Sequence, residues 1–121
     1  MNQFDLKNRT AIITGGAQGF GYDIAKKFLK SGAKVIIWDI DEVELKKVYK
    51  KINDSNLTYK IVDVSDFKQV EETVKQITKT SKIDILINNA GITGSTSNLW
   101  DYNISEWKKV LNINLLGTFY C

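Results

Sequence analysis

Four short apolar runs, each followed by a stretch with helical spacing, constrain this chain more than any other feature. Residues 10–14 (TAIIT), 34–38 (KVIIW), 57–62 (LTYKIV) and 83–88 (IDILIN) read as strands. They are mostly continuous apolar runs rather than in–out alternations, as expected of strands buried on both faces. Ile24, Ala25, Phe28 and Leu29 share one face of a helix running from Gly19 to Ser31, with Gly32 as its stop. Leu45, Val48, Tyr49 and Ile52 line the next helix, and Phe67, Val70, Val74 and Ile77 the third. Asp41, Asp66 with Gln69, and Asn103 with Glu106 stand where N-caps belong; the last opens a helix presenting Trp107, Val110 and Leu111. The order βαβαβαβα predicts an α/β fold, a parallel sheet with helices on both faces joined by right-handed crossovers.

Composition narrows the chemistry. The 121 residues contain no histidine and no proline, and the single cysteine is Cys121. A His general base, a Cys/His zinc site and a disulfide framework are excluded, and no metal site is expected. The formal charge is +3, from 17 Lys+Arg against 14 Asp+Glu, with Arg9 the only arginine. Scattered lysines do not make a nucleic-acid surface, and Lys46, Lys47, Lys50 and Lys51 read as a solvated helix face. No run approaches the ~18 apolar residues of a membrane helix. The polar opening MNQFDLKNRT has no hydrophobic core of a secretory signal. The expectation is a cytoplasmic protein without nucleic-acid or membrane partners.

The first strand runs directly into Thr14-Gly15-Gly16-Ala17-Gln18-Gly19-Phe20-Gly21 and then a helix. Glycines at such a junction let backbone approach a pyrophosphate, and the helix N-terminus offers it free N–H groups. The competing role is a tight turn packed for steric reasons. Asp39 ends the second strand, where a carboxylate can accept both hydroxyls of an adenosine ribose and repel a 2′-phosphate. Trp38 and Ile40 flank it, so no cation neighbours it in sequence. NAD is therefore expected rather than NADP. Asp39 can also serve as a loop carboxylate or cap, a role for which Asp41 competes.

The Gly-x-x-x-Gly-x-Gly spacing resembles the core branch of the short-chain dehydrogenases/reductases, whose Thr-Gly-x-x-x-Gly-x-Gly is matched by residues 14–21. Phe20 departs from the family's usual Ile or Leu, which should affect packing near the cofactor. Asp63-Val64 resembles the family's adenine-contacting pair, and Asn88-Asn89-Ala90-Gly91 its Asn-Asn-Ala-Gly motif. Asn114, in residues 112–117 (NINLLG), aligns with the asparagine of its catalytic tetrad. The resemblance implies a Rossmann-type doubly wound sheet, present here as its first four strands with helices. It implies a cofactor site of Gly15, Gln18, Gly19, Phe20, Gly21, Asp39, Asp63, Val64, Asn89, Ala90 and Gly91, with Asn114 as the catalytic residue. Structural roles compete at several positions. Asp63 can cap a turn, Asn88 and Asn89 can satisfy loop backbone, and Asn114 can mark a kink or break between two helices; a break frees a carbonyl, which in the family holds a water of the proton relay.

By the same resemblance the activity is hydride transfer between NAD(H) and a small alcohol or carbonyl substrate, such as a sugar, a polyol or a 3-oxoacyl thioester. The family's serine, tyrosine and lysine follow the next strand, so residues 1–121 are expected to be the dinucleotide-binding N-terminal part of a single domain. Alone, these residues are expected not to turn over substrate, and to be poorly soluble because of an uncovered sheet edge and an apolar last helix. Tyr22 and Lys26 form Tyr-x-x-x-Lys but sit on the pyrophosphate-side helix and read as a surface pair. Ser95 and Ser97 read as ordinary loop residues. Trp100 and Tyr102 either border the substrate or, the favoured reading, pack against the sheet. A non-catalytic NAD-binding module or sensor is the alternative function. The glycine spacing counts against an epimerase or dehydratase of the extended branch. The resemblance also implies a homo-oligomer built through the helix beginning near Asn114.

Overall fold

The computed structural model describes residues 4–121; Met1–Gln3, the start of the polar opening segment, lie outside the described residues. Four strands, β1 (Thr10–Thr14), β2 (Lys34–Asp39), β3 (Leu57–Ile61) and β4 (Ile85–Ile87), form one sheet in the order β3-β2-β1-β4. Every pairing is parallel, with Ile12 opposite both Ile36 and Leu86. The helices are α1 (Gly19–Lys30), α2 (Glu42–Ile52), α3 (Phe67–Thr78) and α4 (Ile104–Leu111). A π-helical segment (Asn112–Gly117) and one further helical turn, α5 (Thr118–Tyr120), complete the order.

Strand alternation divides the core. Ile13, Val35 and Ile37 point to one face and pack with Ala25, Leu29, Leu45 and Val48 of α1 and α2. Ile12, Ile36 and Trp38 point to the other and pack with Val70 and Ile77 of α3, with Tyr120 and Cys121 alongside. The expected caps form: Asp41, Asp66 and Asn103 accept the backbone N–H of Glu44, Gln69 and Glu106. The lysines of α2 lie on a solvated face, where Lys46 pairs with Glu42 and Lys47 with Glu44. Among the described residues no helix is long and apolar enough to cross a membrane.

Several expectations are corrected. The strand expected over 83–88 pairs only over Ile85–Ile87, because at its start the Asp84 carboxylate takes the Thr10 N–H at 2.9 Å. At its far end Asn89 turns toward Thr14. Burial on both faces holds for β1 and most of β2 but not for the two outer strands: among the described residues β3 pairs with β2 alone and exposes Thr58, Lys60 and Ile61, and β4 pairs with β1 alone and has no buried residue. The apolar side of α4 contains no buried residue. Trp100 and Tyr102 do not pack against the sheet. Trp100 is 82% exposed on a 3-10 turn (Leu99–Asp101), and Tyr102 stands edge-on to Trp107 at 5.6 Å, against its own connection.

Asp84 ties the sheet's lower edge together. The Thr10 N–H, above all, holds its carboxyl below the ordinary carboxylate range; burial opposes this, and Lys82 and Arg9 reinforce it. A lowered folded-state pKa stabilises the fold above the unfolded value, and this stabilisation is lost as pH falls through the folded value. Asp84→Asn should therefore be less stable than the parent at neutral pH and approach it below the ordinary carboxylate range. Urea denaturation at neutral and acid pH reads this; a gap that widens on acidification would contradict it.

Candidate functional site

The site grows from the carboxyl ends of the strands. After Thr14 the chain turns at Gly15, whose φ is 63°. A side chain there would put its Cβ 2.9 Å from the Ala90 Cα, so the loop after β4 can close on the loop after β1 only because residue 15 is glycine. At Gly21 a Cβ would fall 2.3 Å from the Gly15 carbonyl oxygen. Gly19 differs: its φ is 57°, and a Cβ there would meet nothing within 4 Å. The loop is thus closed on its protein side and open at Gly19.

Helix α1 opens into that space with Gln18 at its N-cap and no side-chain cap, whereas α2, α3 and α4 are each capped by an Asp or Asn. Its first turn holds no acid. The N-terminal N–H groups of a 12-residue helix therefore remain available to an external anion at the positive end of the helix dipole.

Asp39 faces the same loop. Its Oδ2 accepts the Ala17 N–H at 3.2 Å and its Oδ1 the Asp41 N–H at 3.1 Å. The structural role left open for it is thus filled, while Asp41 caps α2. Each carboxylate oxygen keeps a lone pair for a further donor. Among the described residues no Lys or Arg forms an ion pair with Asp39. Asp63 closes the turn after β3: its Oδ1 accepts the Ser65 N–H at 2.9 Å and hydroxyl at 2.6 Å. Val64 is buried against Gly117.

The loop after β4 is fastened by a residue that the sequence reading passed over. The buried Thr14 hydroxyl oxygen accepts the N–H groups of Asn89 (3.0 Å) and Ala90 (2.9 Å) and donates to the Ile87 carbonyl at 3.4 Å. Asn89 Nδ2 returns to the carbonyls of Thr14 and Gly15 at 3.0 and 3.1 Å. The available signal was a hydroxyl residue ending an otherwise apolar strand just before the glycines. Asn114 holds the loop two residues further on: its Oδ1 accepts the Ile92 N–H and its Nδ2 donates to the Ile92 carbonyl, both at 2.8 Å. The α-helix is interrupted there, not by a full break but by the π-helical segment between α4 and α5. The Thr118 N–H is directed to Leu115, and the Asn114 carbonyl accepts the Thr118 hydroxyl at 3.0 Å instead.

These elements enclose a cleft of about 890 Å³. Of the anticipated residues, Gly15, Gln18, Asp39, Asp63, Val64, Asn89, Ala90 and Gly91 line it. Gly19, Phe20, Gly21 and Asn114 do not: the first three begin α1 beside it, and Asn114 reaches it through Ile92. Phe20 is 83% exposed, so it contributes nothing to packing within the described residues. Tyr22 and Lys26 are a surface pair, with the ammonium 4.7 Å from the ring centroid and 3.5 Å from Asp23. The Ser95 hydroxyl donates to Glu106 and the Ser97 hydroxyl to the Asn98 carbonyl. An uncapped helix end, a glycine open on its outer side and a carboxylate at the neighbouring strand end suit a dinucleotide.

Residues 9–121 match the model of the short chain dehydrogenase family. The chain belongs to that family. It is 37% identical over 114 residues to the 2-dehydro-3-deoxy-L-rhamnonate dehydrogenase (NAD(+)) of a Sphingomonas species, covering 93% of this chain and 45% of the relative. It is 39% identical over 129 residues to a probable NADP-dependent mannitol dehydrogenase of Yarrowia lipolytica, covering 100% of this chain and 45% of the relative. It superimposes with a TM-score of 0.89 and 33% identity on the crystal structure of the 3-ketoacyl-(acyl-carrier-protein) reductase from Brucella melitensis complexed with NADH, covering 96% of this chain and 48% of that one. The chain thus spans about half the length of the curated relatives it matches.

Proposed function

We propose that residues 1–121 are the dinucleotide-binding part of a longer NAD-dependent oxidoreductase, which transfers hydride between NAD(H) and a small alcohol or carbonyl substrate of the sugar, polyol or 3-oxoacyl type. In this reading the uncapped start of α1, with Gly15, Gln18, Gly19, Phe20 and Gly21, receives the pyrophosphate. Asp39 receives the adenosine ribose, Asp63 and Val64 border the adenine, and Asn89, Ala90 and Gly91 border the nicotinamide-side ribose. The bound nicotinamide supplies the hydride acceptor or donor. Asn114 keeps the Asn89–Ile92 loop in register through its paired bonds to Ile92, and its carbonyl, with a lone pair beyond the one taken by the Thr118 hydroxyl, accepts a hydrogen bond from a water of the proton relay. The serine, tyrosine and lysine that complete the chemistry stand beyond residue 121. The activities named for the relatives, on a sugar acid, a polyol and an acyl carrier substrate, support the substrate class. Ile104, Leu115 and Phe119, exposed on consecutive helical segments, support an oligomer of the full protein through this region.

The observation that carries the cofactor choice is Asp39, a carboxylate with spare acceptor capacity and, among the described residues, no cation paired to it, standing beside the open glycine loop. A 2′-phosphate brought there meets like charge; a ribose diol meets an acceptor. The full-length protein should bind NAD more tightly than NADP. Asp39→Asn should weaken NAD binding by about tenfold, the loss of one charged hydrogen bond, and narrow the gap to NADP. Tighter binding of NADP to the unaltered protein, read by calorimetry, would overturn the assignment. Failure of the full-length protein to reduce NAD with any sugar, polyol or hydroxyacyl substrate would overturn the activity.

A further inference from the structure

A second concave site lies at the opposite ends of the strands. It encloses about 530 Å³ and is lined by four cations, Lys7, Arg9, Lys34 and Lys82, against one carboxylate, Asp84. The chain has 17 Lys+Arg and 14 Asp+Glu; setting aside these four and this one leaves 13 against 13. The whole formal excess of +3 is therefore gathered in this crevice. Asp84 does not neutralise it. Its side chain is 7% exposed, one oxygen is committed to the Thr10 N–H, and the other is shared by Arg9 and Lys82 at 3.5 Å each. Among the described residues Lys7 and Lys34 form no ion pair.

Helix ends do not account for the cations either. The Ile77 carbonyl at the end of α3 already accepts the N–H groups of Thr80 and Ser81. The Lys27, Phe28 and Leu29 carbonyls at the end of α1 are taken by Ser31, Gly32 and Ala33. The crevice thus offers two ammonium groups without carboxylate partners and a guanidinium fork with most of its donors free, next to the Ser81 hydroxyl. It is five residues of β1, about 17 Å, from the cleft.

We propose that this crevice is a second anion site, which takes a small multivalent phosphate oxyanion, free or as the head of an organic phosphate. Planar guanidinium donors and point-charge ammonium groups together suit a phosphate. Clustered charge of this size favours a di- or trianion over chloride at equal ionic strength.

Equilibrium dialysis of inorganic pyrophosphate and of glycerol 3-phosphate against the full-length protein, at constant ionic strength in chloride, tests the proposal. Lys7→Gln/Lys34→Gln should weaken binding by about tenfold, while Lys50→Gln/Lys60→Gln, on other surfaces, should leave it unchanged. Binding of both ligands assigns the site to organic phosphates as well; binding of pyrophosphate alone assigns it to the inorganic ion. Binding unchanged in both affinity and stoichiometry in the crevice variant, equal weakening by both lysine pairs, or no binding would overturn the proposal. Pyrophosphate held at the glycine loop would persist equally in the parent and the variant as a separate class of sites, so the loss read between them is independent of the cofactor assignment.

Discussion

Gly21→Ala in the full-length protein should cost both stability and dinucleotide binding. Its Cβ would stand 2.3 Å from the Gly15 carbonyl oxygen and 2.6 Å from Asn89 Nδ2. Neither neighbour can yield cheaply: Gly15 is backbone pressed against Ala90, and the Asn89 amide carries the bonds to Thr14 and Gly15. Alanine's better helix propensity returns up to about 1 kcal/mol, but overpacking of this kind costs about 1–3 kcal/mol or more, and the start of α1 must move away from the loop. A net loss of about 2 kcal/mol in chemical denaturation is expected, with NAD affinity reduced about a hundredfold. Gly19→Ala separates the two effects. Nothing lies within 4 Å of its Cβ, so the stability cost is only the left-handed backbone at φ 57°, about 1–2 kcal/mol. The methyl nevertheless enters the space proposed for the pyrophosphate, so binding should fall as steeply as in Gly21→Ala. Gly19→Ala with undiminished NAD affinity would remove the pyrophosphate from this loop.

Thr14→Val should be the most damaging near-isosteric change in the chain. It preserves volume in a residue that is 1% exposed but removes the acceptor of two N–H groups, those of Asn89 and Ala90, and the donor to Ile87. Each unsatisfied group costs about 1–3 kcal/mol, so a loss of about 3 kcal/mol is expected, or about 6–12 °C in melting temperature for a domain of ~150–250 residues. Because Asn89 and Ala90 line the cleft, NAD affinity should fall as well. Thr14→Ser keeps the hydroxyl and should recover most of both, less the small cost of a lost buried methyl. Equal damage from valine and serine would show that the methyl, not the hydroxyl, is what the position requires.

The legible part of this protein is the part written by local chemistry. Ile24, Ala25, Phe28 and Leu29 sit on one helical face because 3.6-residue spacing leaves them no other arrangement, and the same argument finds α2 and α3. Asp41, Asp66 and Asn103 cap because a short acceptor before a helix bonds the orphan N–H two or three residues on. The exposure of β3 and of the apolar side of α4 was not legible, since it depends on which neighbour each element has rather than on its own pattern. Trp100 misled for the same reason: an aromatic residue predicts burial only where another element covers it.

The sequence by itself determined the strand–helix order, the parallel sense of the sheet, the glycine turn opening α1 and the family, because each rests on residue type and near-neighbour spacing. Only the tertiary structure decided that Thr14 fastens Asn89 and Ala90 from 75 residues away or more. It alone decided that Asn114 clasps Ile92 from a π segment, and that Lys7, Arg9, Lys34 and Lys82 converge on one crevice. Those contacts join residues far apart in the chain, and their geometry is set by sheet register and helix packing, which local pattern does not encode.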